Sequence, residues 1–278
     1  MPAPDAITPE KLSKLLGTPR CPTILDNRRD GLRAEDPFLL PGARVIAEAD
    51  VAPERLETLI ASLRGPVVVA CAEGHARSQG LAALLRSQGL AAEYLEGGYA
   101  AWRAVALPMI DPGKIVARDA EGRSVWVTRS RPKVDRIACP WLIRRFIDPR
   151  AVFLYVAPVE VAGVAALFGG MPFDVEETFW SHRGELCTFD VMLAEFGLKL
   201  PALDRLAQIV RGADTARPDL APEAPGLLAA SLGLSRMHPD DLEQLEAGMS
   251  LYDAFYRWCR DATEETHNWP TNRPGGVA

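Results

Sequence analysis

Residues 66–78 read PVVVACAEGHARS. Val67 to Ala70 is an unbroken apolar, mostly β-branched run, the length and composition of a buried strand. Cys71 ends it. Gly74, Arg77 and Ser78 follow, so cysteine and arginine stand in a Cys-x5-Arg spacing. Helical spacing resumes over Ser78 to Leu85. The stretch therefore predicts a thiol at the carboxyl end of a strand, in a tight loop that feeds a helix. Successive backbone N–H groups in such a loop can converge as an anion cradle. The following helix adds its positive N-terminal end. Both lower a thiol's pKa. Gly74 lets the backbone turn, Arg77 offers two parallel donors to an anion, and Ser78 can cap the helix or donate to the sulfur. The alternative is a cysteine that merely packs and an arginine that merely solvates.

Working outward, residues 1–110 alternate short strands and helices. Thr8 to Leu16 reads as a capped helix, PTILD (22–26) as a strand and Pro53 to Leu63 as a helix. AEYL (92–95) is a strand, and YAAWRAV a helix after Gly97 and Gly98. Alternation of this kind predicts a parallel α/β sheet, whose ligands bind at the carboxyl ends of strands. Cys71 sits at such an end.

A polar, turn-rich stretch follows, and the expected division is residues 1–113, a linker at 114–124, and a second domain at 125–278. After the strands SVWVT and AVFLYV, helical spacing recurs in VAGVAALFG, LCTFDVMLAEFG, ALDRLAQIVRGA and DLEQLEAGMSLYDAFYRWCRDA. The second domain is expected to be mostly α-helical, of α+β type. The C-terminal TNRPGGVA is expected to fray.

The 278 residues are 48% hydrophobic and 24% charged with a net charge of −6, which excludes an overall basic nucleic-acid binder. There is no long apolar run and no basic leader, so a cytoplasmic chain without membrane insertion is expected. The cysteines, Cys21, Cys71, Cys139, Cys187 and Cys259, are odd in number and form no CxxC, so reduced thiols are the default.

The first half resembles the rhodanese family. LDNR (25–28), PGARVI (41–46), VVVACAEGHARS (67–78) and YLEGGYAAWRAVALP (94–108) occur in that family's order and spacing. The resemblance implies that Cys71 is a sulfur- or anion-handling nucleophile and a candidate sulfurtransferase centre, with Arg77 and Ser78 beside it. It implies that the loop amides of Ala72, Glu73, Gly74, His75, Ala76 and Arg77 form the cradle. It also pairs Asp26 with Arg28 at the end of the first strand. The loop counts seven residues from cysteine to arginine inclusive, where sulfurtransferases usually have six. Seven resembles cell-cycle phosphatases and arsenate reductases of the same fold, although the histidine usual before a phosphatase cysteine is Ala70 here. Glu73 is expected to place a negative charge inside the loop, and His75 is either a proton donor or an exposed side chain.

The second half carries DRIACPWLIRRFID, read as a helix from Asp135 to Phe146 with Cys139, Ile143 and Phe146 near one face. Between Arg129 and Arg150 stand seven Lys or Arg against two Asp. These are either solvated and internally paired, or an oxyanion or DNA patch that includes Arg136, Arg144 and Arg145. His182, Glu185 and Cys187 lie close together, with Asp174 upstream. The residues name no cofactor apart from a metal ion here, with His182, Glu185 and Asp174 as ligands. Asp135, Asp214 and His267 are candidates to complete the site. It could equally be an oxyanion pocket with Arg136 and Arg211 as donors.

With SHRGELCTFDVML (181–193), IVRGADT (209–215), APEAPGLLAASLGLSRM (222–237) and LYDAFYRWCRDA (251–262), this half closely resembles the C-terminal domain of the chromate-resistance family ChrB. That resemblance implies a role in chromate or oxyanion stress. The implied partners are a small anionic sulfur donor or oxyanion, and DNA or a chromate-efflux system. Three functions are therefore carried forward: a persulfide-forming enzyme, a non-catalytic chromate-responsive regulator, and a Cys-x5-Arg phosphatase or oxyanion reductase.

Overall fold

In the computed structural model, described for residues 5–115 and 117–265, the first half is built on a five-stranded, wholly parallel sheet. Its strands are β1 (Ala6–Ile7), β2 (Thr23–Asp26), β3 (Ala43–Val45), β4 (Val67–Ala70) and β5 (Ala92–Leu95), in the order β1-β5-β4-β2-β3. Their helices are α1 (Pro9–Ser13), α2 (Asp30–Glu35), α3 (Pro53–Ser62), α4 (Ala76–Ser87) and α5 (Gly98–Ala104). Thr8 caps α1 as its position predicts, its hydroxyl accepting from Lys11 N.

β4 is buried along its whole length. It lies between β2 and β5, with Val68 opposite Ile24 and Glu93. The chain runs to β3 on one side of β2 and returns to β4 on the other. The carboxyl ends of β2 and β4 therefore meet where the strand order reverses, the place a doubly wound sheet offers a ligand.

Asp26 and Arg28 buttress this edge. Arg28 is buried and forks onto both oxygens of Asp26. It also donates to the carbonyls of Asp36 and Phe38 and stacks 3.8 Å over the Tyr99 ring.

The second half has a smaller parallel sheet, β6 (Val125–Arg129), β7 (Val152–Val156) and β8 (Met171–Pro172), ordered β7-β6-β8. Around it pack α6 (Asp135–Leu142), α7 (Val161–Phe168), α8 (Thr188–Phe196), α9 (Pro201–Asp214), α10 (Ala224–Met237) and α11 (Asp241–Asp261). The expected 135–146 helix runs on beyond α6, but as a π-helical turn over Ile143–Ile147. Pro140 inside α6 lacks an N–H, which strands the carbonyl four residues earlier. The Tyr155 hydroxyl donates to that carbonyl, Arg136 O, at 3.0 Å.

The two halves share one apolar core. Leu12, Leu16 and Trp102 of the first belong to the same buried cluster as Trp141, Phe146 and Tyr256 of the second. Gly42 N donates to Phe146 O, and Arg260 donates to Lys14 O. A β-carbon on Gly17 would lie 2.5 Å from both Phe146 and Tyr256. Among the described residues, no helix is long and apolar enough to cross a membrane.

Candidate functional site

Cys71 directly follows β4 and is 5% exposed. Its Sγ lies 3.1 Å from Ser78 Oγ. Burial pushes the thiol up, but the Ser78 hydroxyl and the backbone N–H groups of Ser78, Glu73 and His75 outweigh it and hold Cys71 below its ordinary value. The other four cysteines go the opposite way. Burial pushes Cys21 and Cys259 up to about 11, and Cys139 and Cys187 further. Cys71 is thus the cysteine whose surroundings favour the ionised form over the ordinary thiol.

The cradle depends on a neighbouring turn. Cys71 O accepts from Tyr99 N and Ala72 O from Ala100 N, so the start of α5 clamps the outer side of the loop. Gly98 has φ 59°. A β-carbon there would run into Cys71 O and lie 2.5 Å from Gly74 N. Gly74, φ 72°, is confined in turn by Gly97, Leu95 and Gly98. This close approach is the physical content of the LEGG motif. Gln79, which sequence reasoning passed over, donates to Gly74 O at 2.9 Å.

Three expectations about the loop need correction or sharpening. Arg77 does not present a free fork to the cradle. Its Nε and Nη2 donate to Asn27 O and Oδ1 at 3.0 and 3.1 Å, and Nη1 lies 3.2 Å from Glu48. With Asn27 Nδ2 donating back to Arg77 O, it braces the loop against the end of β2. Glu73 does not place its charge inside the loop, because its side chain is 71% exposed and faces His75 at 3.5 Å. His75 is likewise exposed, at 75% of its side chain. Ala76 begins α4, two residues earlier than the periodicity indicates.

In the second half, His182 Nε2 lies 3.2 Å from Asp214 Oδ2, 3.4 Å from Asp174 Oδ1 and 3.6 Å from Asp135 Oδ2. Asp174 first, then Asp214, with the charge of Asp135 behind them, push His182 up to about 10. Burial, with Asp214 and Asp174 nearby, pushes Asp135 well up. Glu185 does not join them. Gly184 turns the chain at φ 61°, Arg183 pairs with Leu186, and Glu185 stands in solvent. Cys187 and Cys139 are packed in the core. His267 lies outside the described residues.

The arginines of the 129–150 segment turn inward for the most part. Arg129 and Arg136 pair with Asp174, Arg144 with Glu246, and Arg145 bidentately with Asp253. Arg211, considered as an oxyanion donor, is held by Asp190 at 2.7 Å. A separate cleft of about 750 Å³ between the halves is lined by Arg44, Arg64, Arg118 and Arg150 as well as Arg144 and Arg145.

A cysteine held by loop amides at the switch point of a parallel sheet defines the class: an α/β protein with a cysteine cradle. Residues 8–105 match the family model of the rhodanese-like domain, and residues 126–259 that of the ChrB C-terminal domain. The chain joins a rhodanese-like domain to a ChrB C-terminal-type domain.

Protein ChrB of Cupriavidus metallidurans is 38% identical over 148 residues, 52% of this chain and 44% of that protein. The chain thus spans less than half the length of that relative. Among solved structures, a rhodanese-like domain protein from Staphylococcus aureus is 28% identical. It covers 35% of this chain and 90% of its own, with a TM-score of 0.30. A thiosulfate sulfurtransferase from Pseudomonas aeruginosa is 28% identical over 40% of this chain and 20% of its own, TM-score 0.31. An As-Sb reductase from Leishmania major is 23% identical over 42% and 89%, TM-score 0.33.

Proposed function

We propose that this chain is a persulfide-forming protein of chromate or oxyanion resistance, with Cys71 as nucleophile. The observation that carries the reading is the set of donors on Cys71 Sγ, which makes it the one cysteine of five whose thiol is held below its ordinary value.

With thiosulfate as donor, the Cys71 thiolate attacks the outer sulfur. A new S–S bond forms as the S–S bond of thiosulfate breaks, and sulfite leaves with the electron pair. The product is a Cys71 persulfide. A second nucleophile, a thiolate or cyanide, then takes the outer sulfur and returns the Cys71 thiolate. The loop amides stabilise the anionic sulfur at each stage. Arg77 acts as a positioning residue, fixing the loop to Asn27. The ChrB C-terminal-type match supports the link to chromate stress. The test is sulfur transfer from thiosulfate to cyanide. The wild type transfers and Cys71→Ser falls to background, whereas full activity in Cys71→Ser overturns the reading.

A second reading, an oxyanion-binding protein without turnover, is favoured by the arginine cleft. Arg44, Arg64 and Arg150 donate there to a hydroxyl or to carbonyls, and six arginines line the cleft against Asp50, Glu121 and Asp148. Calorimetric binding of chromate to Cys71→Ser, lost in Arg44→Ala, would favour it over catalysis.

A further inference from the structure

The carboxylates around His182 come from distant parts of the chain. Asp135 opens α6, Asp174 follows β8, and Asp214 closes α9. They gather near the carboxyl ends of β6 and β8, since Arg129, the last residue of β6, holds Asp174 at 3.1 Å. That is the end of a parallel sheet at which ligands bind.

The distances suit a metal. Ligand atoms about 2.1 Å from a tetrahedral ion stand about 3.4 Å apart. The His182 nitrogen stands 3.2 Å from Asp214 and 3.6 Å from Asp135. One donor atom from each of these three residues fits within 4.8 Å of the others.

The supporting groups are also in place. Asp135 Oδ2 accepts from Thr188 N at 2.6 Å at the start of α8. Asp174, whose Oδ1 lies 3.4 Å from the same His182 Nε2, is held in place by Arg129, Arg136 and the Thr188 hydroxyl. One oxygen lacks any partner. Asp135 is 0% exposed, and its Oδ1 accepts no hydrogen bond from the protein. A wholly buried carboxylate with a bare oxygen is costly unless something binds it.

The geometry points to a divalent-cation site formed by Asp135, His182 and Asp214, with Asp174 as a further carboxylate beside it. One nitrogen and carboxylate oxygens, without a thiolate, suit Zn²⁺, Mn²⁺ or Fe²⁺. His182 is 39% exposed on its side chain, so an ion can reach the site from solvent. This site is separate from the Cys71 loop and does not depend on its chemistry.

The test uses the full chain carrying Cys71→Ser, stripped with chelator and titrated calorimetrically with Zn²⁺ or Mn²⁺ alone. One ion is expected per chain, with a rise in Tm. His182→Gln and Asp214→Asn should each weaken binding at least tenfold and abolish the rise. His182→Gln is the deciding variant, because a half-exposed side chain can change without collapse of the core. Asp135→Asn should lose the ion while its Tm without metal stays level or rises. Absence of binding up to about 1 mM, or equal binding by His182→Gln, overturns the site. So does an Asp135→Asn protein that binds the ion normally.

Discussion

The Ser78 hydroxyl lies 3.1 Å from the Cys71 sulfur and 3.2 Å from His75 O, and its one proton turns to the sulfur when Cys71 ionises. Ser78→Ala removes a donor to the thiolate, so the Cys71 titration moves to higher pH. Alkylation by iodoacetamide at neutral pH should slow by roughly an order of magnitude, the weight of one hydrogen bond to a charged group. A pH profile of alkylation checks both. In the wild type the thiolate should already be present below the ordinary cysteine range, because the donors favour the charged form. Gly98→Ala is the corresponding backbone test. Its β-carbon meets Cys71 O, and φ is 59°. A loss of about 2 kcal/mol or more in denaturant unfolding is expected, together with loss of the fast-reacting thiol.

Among the elements, the strand, loop and helix around Cys71 were legible because they are contiguous. Val67–Ala70, the cysteine and α4 fall within about twenty residues, and local pattern reads them directly. What sequence could not show was where the loop's side chains go. Arg77 is turned aside by Asn27, fifty residues earlier, and Glu73 turns out to solvent. In the second half Asp174, and with it Asp135 and Asp214 as completing carboxylates, can be read beside His182, and the fold brings all three to the imidazole, while Glu185, its close neighbour in sequence, stays in solvent. The helical signal of α10 is blurred by Pro225, Gly226 and Gly233. α2 was missed because it is short and buries no residue. At this scale α6 and α11 are joined by Asp253, which accepts from Trp141 Nε1 and both arms of Arg145. Asp253→Ala leaves these donors stranded and should cost about 3 kcal/mol in denaturant unfolding.

For the molecule as a whole, the shared core is the dominant fact. Leu16 and Trp102 pack in the same cluster as Phe146 and Tyr256, so neither half closes its apolar surface alone. Calorimetry should show one cooperative unfolding transition rather than two well-separated ones. Tyr256→Ala, on α11, should cost about 3 to 5 kcal/mol and lower the stability of the rhodanese-like half along with its own. The coupling gives a physical route by which an event in the second half can reach the Cys71 loop. The measurement that bears most directly on the central claim is the intact mass of the wild type and of Cys71→Ser, each incubated with thiosulfate. The account predicts a gain of one sulfur, about 32 Da, in the wild type alone, removed again by cyanide or a thiol. No gain, or an equal gain in Cys71→Ser, would contradict it.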